Sequence, residues 1–144
     1  MDSSVTYRVD VQITAPVYPT EIEARVAEAI QRLFPASDPT LQHGELVAEC
    51  HEMDRFSELL HRQEILDTAR GSLFDGREGD TIAFDLKKQA AYEGRVNFAV
   101  GEPDELGEIH VRVRVDEPDV ESFIDHVAPP TRDGVPIDTD QTDR

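Results

Sequence analysis

The chain has 144 residues, 38% of them hydrophobic, which fills one core of ordinary size and leaves nothing for a second domain. Thirty-one acids against fourteen bases give a formal net charge of -17, and Lys87 and Lys88 are the only lysines beside twelve arginines. Cys50 is the single cysteine, which excludes an intrachain disulfide and any multi-cysteine zinc site. No basic-then-apolar leader opens the sequence and no run of roughly eighteen apolar residues interrupts it, so a cytoplasmic protein with no membrane partner is expected.

Val5, Tyr7, Val9, Val11 and Ile13 alternate with polar residues, the period of a strand with one buried face. In "PTEIEARVAEAIQRLFP", Thr20 and Glu23 form a capping box, Ile22, Val26, Ile30 and Leu33 make an apolar stripe, and Pro35 stops the helix. After the turn-rich "ASDPTLQHG", "ELVAEC" reads as a second strand. Asp54 is then placed to cap one long helix reaching about Phe74, which "DGREGD" breaks.

"TIAFDLK" alternates again, and "KQAAY" allows a turn or two of helix that Gly94 can end in a left-handed conformation. "RVNFAV" predicts a fourth strand and "EIHVRVRVD" a fifth. Pro118 suits the first turn of a last helix, "DVESFIDHV". The expected order is β-α-β-α-β-β-β-α, an α+β fold with helices on one face of a largely antiparallel sheet. Residues 1–128 form the domain, and 129–144, rich in proline, glycine, aspartate and threonine, make a loose acidic tail.

Net charge alone argues against a nucleic-acid partner. Yet an acid-rich surface with arginine preferred to lysine is also the composition of a haloarchaeal protein working in molar salt, and then the total charge reports habitat. Distribution says more. Between Arg55 and Arg95 seven bases face eight acids, whereas the rest of the chain holds seven bases and twenty-three acids. The middle third is spared the acidification around it, either because its surface must stay cationic or because it is more buried.

Chemical motifs are sparse. There is no GxGxxG or GxxxxGK[ST] phosphate loop and no GxSxG elbow, and the five histidines show no HxH or HxxxH spacing. Cys50 and His51 point to opposite faces of a strand. No catalytic residue, metal site or cofactor is expected. At 100° per residue from Arg55, Arg62 falls near 340° and Arg70 near 60°, on or beside the apolar side of their helix. They are either orienting ion pairs, Arg70 with Asp67, or the floor of a cationic groove where helix meets sheet.

At "FSELLHRQEILDTARGSLFDG", "TIAFDLKKQAAYEGRVNF" and "ELGEIHVRV" the chain resembles the archaeal uncharacterised protein family 0201, whose members share runs close to ILDTAR, LNKQAA, GKVNF and LGPI. Lys88, Gln89, Ala90, Ala91 and Gly94 match that pattern. Lys87 stands where asparagine is usual, Arg95 where lysine is usual, and "LGE" replaces LGP. The resemblance implies a fold like that of ribosomal protein L-five and an RNA-binding or exosome-associated role without established catalytic residues. On it rests the expectation of a non-enzymatic RNA-binding or RNA-processing accessory protein. Lys88 and Arg95, with Arg62, Arg70 and Lys87, would meet phosphates, Gln89 a base edge or 2′-hydroxyl, and Tyr92 a stacked base. The competing expectation is a protein-interaction module, possibly a homodimer or a subunit of an RNA-processing complex.

Overall fold

The computed structural model describes residues 7–100, 107–132 and 135–136, so Val5 of the opening strand and Leu106 of the "LGE" run lie outside it. Its elements are β1 (Arg8–Pro16), α1 (Glu23–Leu33), β2 (Thr40–Gln42), β3 (Glu45–Cys50), α2 (Asp54–Arg62), α3 (Leu66–Asp75), β4 (Arg77–Glu78), β5 (Thr81–Lys87), α4 (Lys88–Tyr92), β6 (Glu108–Glu117), α5 (Val120–Val127), β7 (Thr131–Arg132) and β8 (Val135–Pro136). Six strands form one sheet in the order β2-β3-β1-β6-β5-β4, every neighbouring pair antiparallel.

Alternation dictates which face is covered. Val9, Val11, Ile13 and Ala15 of β1, Ile82, Phe84 and Leu86 of β5, and Ile109, Val111, Val113 and Val115 of β6 are buried and share one core with the apolar stripes of the helices. Phe34, Phe56, Phe84 and Phe98 cluster in its middle, Phe34 stacked on Phe56 and the other contacts tilted or edge-on, with contacting ring centroids 5.4–6.3 Å apart. Each such fully buried ring contributes about 2 kcal/mol by area alone. The opposite face carries Arg8, Asp10, Gln12, Thr14, His110, Arg112 and Arg114, and among the described residues no helix covers it.

Five expectations are corrected. The long helix is two helices: Glu64 turns left-handed at φ 59°, Ile65 N–H reaches Leu60 O (3.1 Å) and Glu64 N–H reaches His61 O (3.1 Å). That is a Schellman ending built on glutamate where glycine is usual, so no composition signal marks it. "RVNFAV" is not a full strand; it holds β5 through a single bridge, Leu86 to Phe98, with bonds from Lys87 N–H to Asn97 O and Ala99 N–H to Asp85 O. Thr20 and Glu23 make no capping box, because α1 starts with Ile22 at the cap and Glu21, not Glu23, turns back to take Tyr18 N–H. Met53, not Asp54, stands at the N-cap of α2 without a side-chain capping bond, and α5 is capped by Asp119, whose carboxylate accepts Ser122 N–H, with Pro118 one residue earlier. Beyond Pro130, β7 pairs antiparallel with β8, and Thr131 Oγ1 donates to Asp67 on α3.

Candidate nucleic-acid interface

The "KKQAAY" junction divides the two lysines between environments. Strand alternation continues to Lys87, which leaves it half-buried on the open side of the sheet, while Lys88, as the first residue of α4, turns inward. Its side chain is 0% exposed. Lys88 Nζ donates to Pro16 O (2.6 Å) and Glu21 Oε1 (2.9 Å) and lies 5.0 Å from the Tyr18 ring centre. Glu21, 4% exposed, also accepts Tyr92 Oη–H at Oε2 (2.8 Å) and Tyr18 N–H at Oε1 (3.0 Å). Burial alone would raise the Glu21 pKa, but the Tyr18 amide, Lys88 and Tyr92 together outweigh it and hold the carboxyl below its ordinary value. Burial, then the Glu21 carboxylate, push the Tyr92 phenol far above its ordinary value, so it stays a donor. Lys88 therefore fastens α4 to the β1–α1 loop, and its ammonium is closed to phosphate.

Arg70 is withdrawn as well, though not by Asp67. Its guanidinium holds Asp125 (2.7 Å), donates to Ala128 O (3.0 Å) and lies 5.1 Å from the Phe74 ring centre, fixing the end of α5 on α3.

The remaining candidates converge. Gly94, at φ 74°, ends α4 in a second Schellman turn, Gly94 N–H to Ala91 O and Arg95 N–H to Ala90 O. Gln63, at the end of α2, then grips the next residue both ways: its Nε2 donates to Val96 O (2.9 Å) and its Oε1 accepts Val96 N–H (2.8 Å). That clamp sets Arg62 and Arg95, the residues just before each partner, at one junction. Arg32, in the last turn of α1, completes it, since a Cβ built on Gly94 would lie 3.9 Å from its Nη1.

Three arginines thus crown the C-terminal ends of three helices, where their charge complements the helix dipoles. All three are exposed. Arg32 and Arg62 have no ion-pair partner among the described residues, and Arg95 meets only Glu93 at 3.5 Å, both side chains more than 60% exposed. From Arg32 a cleft of about 540 Å³ runs back along α1 past Glu28, Arg25, Ile22 and Tyr92 to the Glu21 anchor. Gln89 is exposed on α4. Sequence reasoning chose Arg62, Arg95, Tyr92 and Gln89 here but missed Arg25 and Arg32, whose seven-residue spacing on one helix face was the available signal.

A family model described as RNA binding matches residues 10–115. A UPF0201 protein of Methanopyrus kandleri is 42% identical over 141 residues, covering 88% of this chain and 89% of its own length. The chain belongs to the UPF0201 family. The crystal structure of the UPF0201 protein from Methanococcus jannaschii superposes with a TM-score of 0.83 at 38% identity, covering 90% of this chain and 99% of that one, so the α+β architecture is the family's. A UPF0200/UPF0201 protein of Archaeoglobus fulgidus is 38% identical over 130 residues, and the chain spans only 40% of its length. The RNA-binding description comes from the family model, and the placement of any contact rests on the geometry above.

Proposed function

We propose that this UPF0201 protein binds RNA without catalysis, gripping the phosphate backbone at the junction of Arg32, Arg62 and Arg95, with Arg25 and Tyr92 extending the track along α1. The observation that carries this is that three exposed arginines stand beside Gly94 and the Gln63–Val96 clamp, two of them in no ion pair among the described residues, on a chain whose net charge is -17. Phosphate contact requires such uncommitted cations, and the helix ends hold them in place. Tyr92, half-buried with its hydroxyl held by Glu21, offers a ring edge at the cleft wall, and Gln89 is free to meet a base or ribose. So few cations give modest, salt-sensitive affinity, which in molar salt would need help from shape.

The test is binding of a short single-stranded RNA, followed by fluorescence anisotropy across a salt series. Arg32→Gln/Arg62→Gln/Arg95→Gln is expected to abolish most of the affinity and to flatten the salt dependence by about one unit of slope per lost phosphate contact. Equal affinity for wild type and triple variant, or no RNA bound even at low salt, overturns the proposal.

One observation favours a second role in addition. The Archaeoglobus relative joins UPF0200 and UPF0201 in its name and is far longer than this chain. A separate UPF0200 protein is then a natural partner, and co-purification of the two full chains from one organism tests it.

A further inference from the structure

The uncovered face of the sheet carries the same three-residue pattern twice. "ECH" at 49–51 and "EIH" at 108–110 each place a glutamate and a histidine on that face, and each histidine faces an aspartate on the next antiparallel strand, Asp10 and Asp85. In both clusters one ligand atom from each of the three side chains lies within 4.8 Å of the other two. No spacing along the chain shows this, because it is made by strand register: Asp85 pairs with His110 directly, and Glu108, two residues before His110, lies on the same face.

The two clusters differ in how far their donors are already committed. Asp10 Oδ2 accepts from Arg114 Nη2 at 2.7 Å, and His51 Nδ1 is divided between Val9 O at 3.0 Å and Asp10 Oδ1 at 3.1 Å. His110 Nδ1, by contrast, faces only Asp85 Oδ1, at 2.7 Å, and neither Asp85 nor Glu108 has an arginine partner among the described residues. The nearby cations are Lys87, opposite Glu108, and Arg112, two residues along from His110. Neither forms an ion pair with the cluster.

We propose that Asp85, Glu108 and His110 form a binding site for a borderline divalent transition ion of the zinc class. One imidazole and two carboxylates make a mixed nitrogen and oxygen donor set suited to such an ion, and the exposed position leaves its remaining coordination sites to water. Binding replaces the His110 Nδ1–Asp85 hydrogen bond, with any proton on that nitrogen passing to solvent or to Nε2, and draws Glu108 inward by a rotamer change. The ion would sit on the face away from the arginine junction, so the proposal does not depend on RNA being bound there.

Zinc chloride titrated into the metal-free full chain by isothermal calorimetry provides the test. Wild type is expected to take up one equivalent at micromolar to submillimolar zinc; His110→Ala and Asp85→Asn are expected to lose that equivalent, and His51→Ala to keep it. Unchanged circular dichroism in each variant shows that an exposed side chain, and not the fold, was removed. The assignment is overturned by absence of uptake in the wild type, by uptake that survives His110→Ala, or by loss in His51→Ala.

Discussion

The α1–α4 cleft has two ends with opposite uses of positive charge. At the closed end Lys88 is wholly buried, donates to Pro16 O and Glu21, and lies over the ring of Tyr18. At the open end Arg32 is exposed, with Arg62 and Arg95 beside it at the Gln63–Val96 clamp, and the one ion pair of these arginines among the described residues is Arg95 with Glu93 at 3.5 Å. Removing a cation from water is tolerable only when its partners are fixed, so the closed end is an anchor, and only the open end retains charge that a ligand can use. The lysine that best fits the family pattern is therefore architecture, and the less patterned arginines are the candidates for binding.

The largest expected effect comes from breaking the closed end. Lys88→Met leaves the Glu21 carboxylate buried without its cation and should cost about 3–5 kcal/mol in urea denaturation. Lys88→Met/Glu21→Gln, which removes the stranded charge while keeping one acceptor oxygen for either Tyr92 or Tyr18, should recover part of that loss. In whatever fraction stays folded, RNA affinity should match wild type. An affinity loss in folded Lys88→Met as great as that of the triple arginine variant would erase the distinction between the two ends.

The open end should behave in reverse. Arg32→Gln/Arg62→Gln/Arg95→Gln removes exposed side chains and should change stability by no more than about 0.5 kcal/mol per site, while it lowers RNA affinity and salt sensitivity. Glu64→Gly probes the support beneath Arg62. Glycine relieves the left-handed strain at φ 59° and should stabilise the α2 ending by up to about 1 kcal/mol, with RNA binding unchanged.

How much of this was legible in the sequence depended on the range of the interaction. Alternation in β1, β5 and β6 and the left-handed Gly94 are local, and the residues announce them. The family resemblance, too, was carried by contiguous runs. Glu64 breaks a helix with a residue that ordinarily continues one, because the Gln63 clamp on Val96, thirty-three residues away, sets where α2 must stop. Lys88 read as a free cation because its partner Glu21 is 67 residues distant and indistinguishable from thirty other acids. Arg70 was rightly placed at the apolar margin, but its partner is Asp125 on α5, not the helical neighbour Asp67. The Asp85–His110 pairing exists only once the β5–β6 register is known.

The smallest expected effect is on pH dependence, and it isolates the closed end alone. Glu21 has a folded pKa below its unfolded value, so the unfolded chain binds more protons there and the anchor stabilises fully only above the ordinary glutamate range. That contribution is lost as pH falls through the folded value. Tyr92 is shifted the other way: its contribution is complete below the ordinary tyrosine pKa and would be lost only as pH rises beyond it, through a higher folded value. Stability attributable to the anchor should therefore be flat between about pH 6 and 9. Chemical denaturation across pH should show that Glu21→Gln shallows the acid limb and leaves the neutral plateau flat. The open-end arginines make no hydrogen bond to Glu21 or Tyr92, and their glutamine variants should leave both limbs unmoved. An acid limb identical in wild type and Glu21→Gln would show that the Lys88–Glu21–Tyr92 cluster is not the anchor that separates the two ends of the cleft.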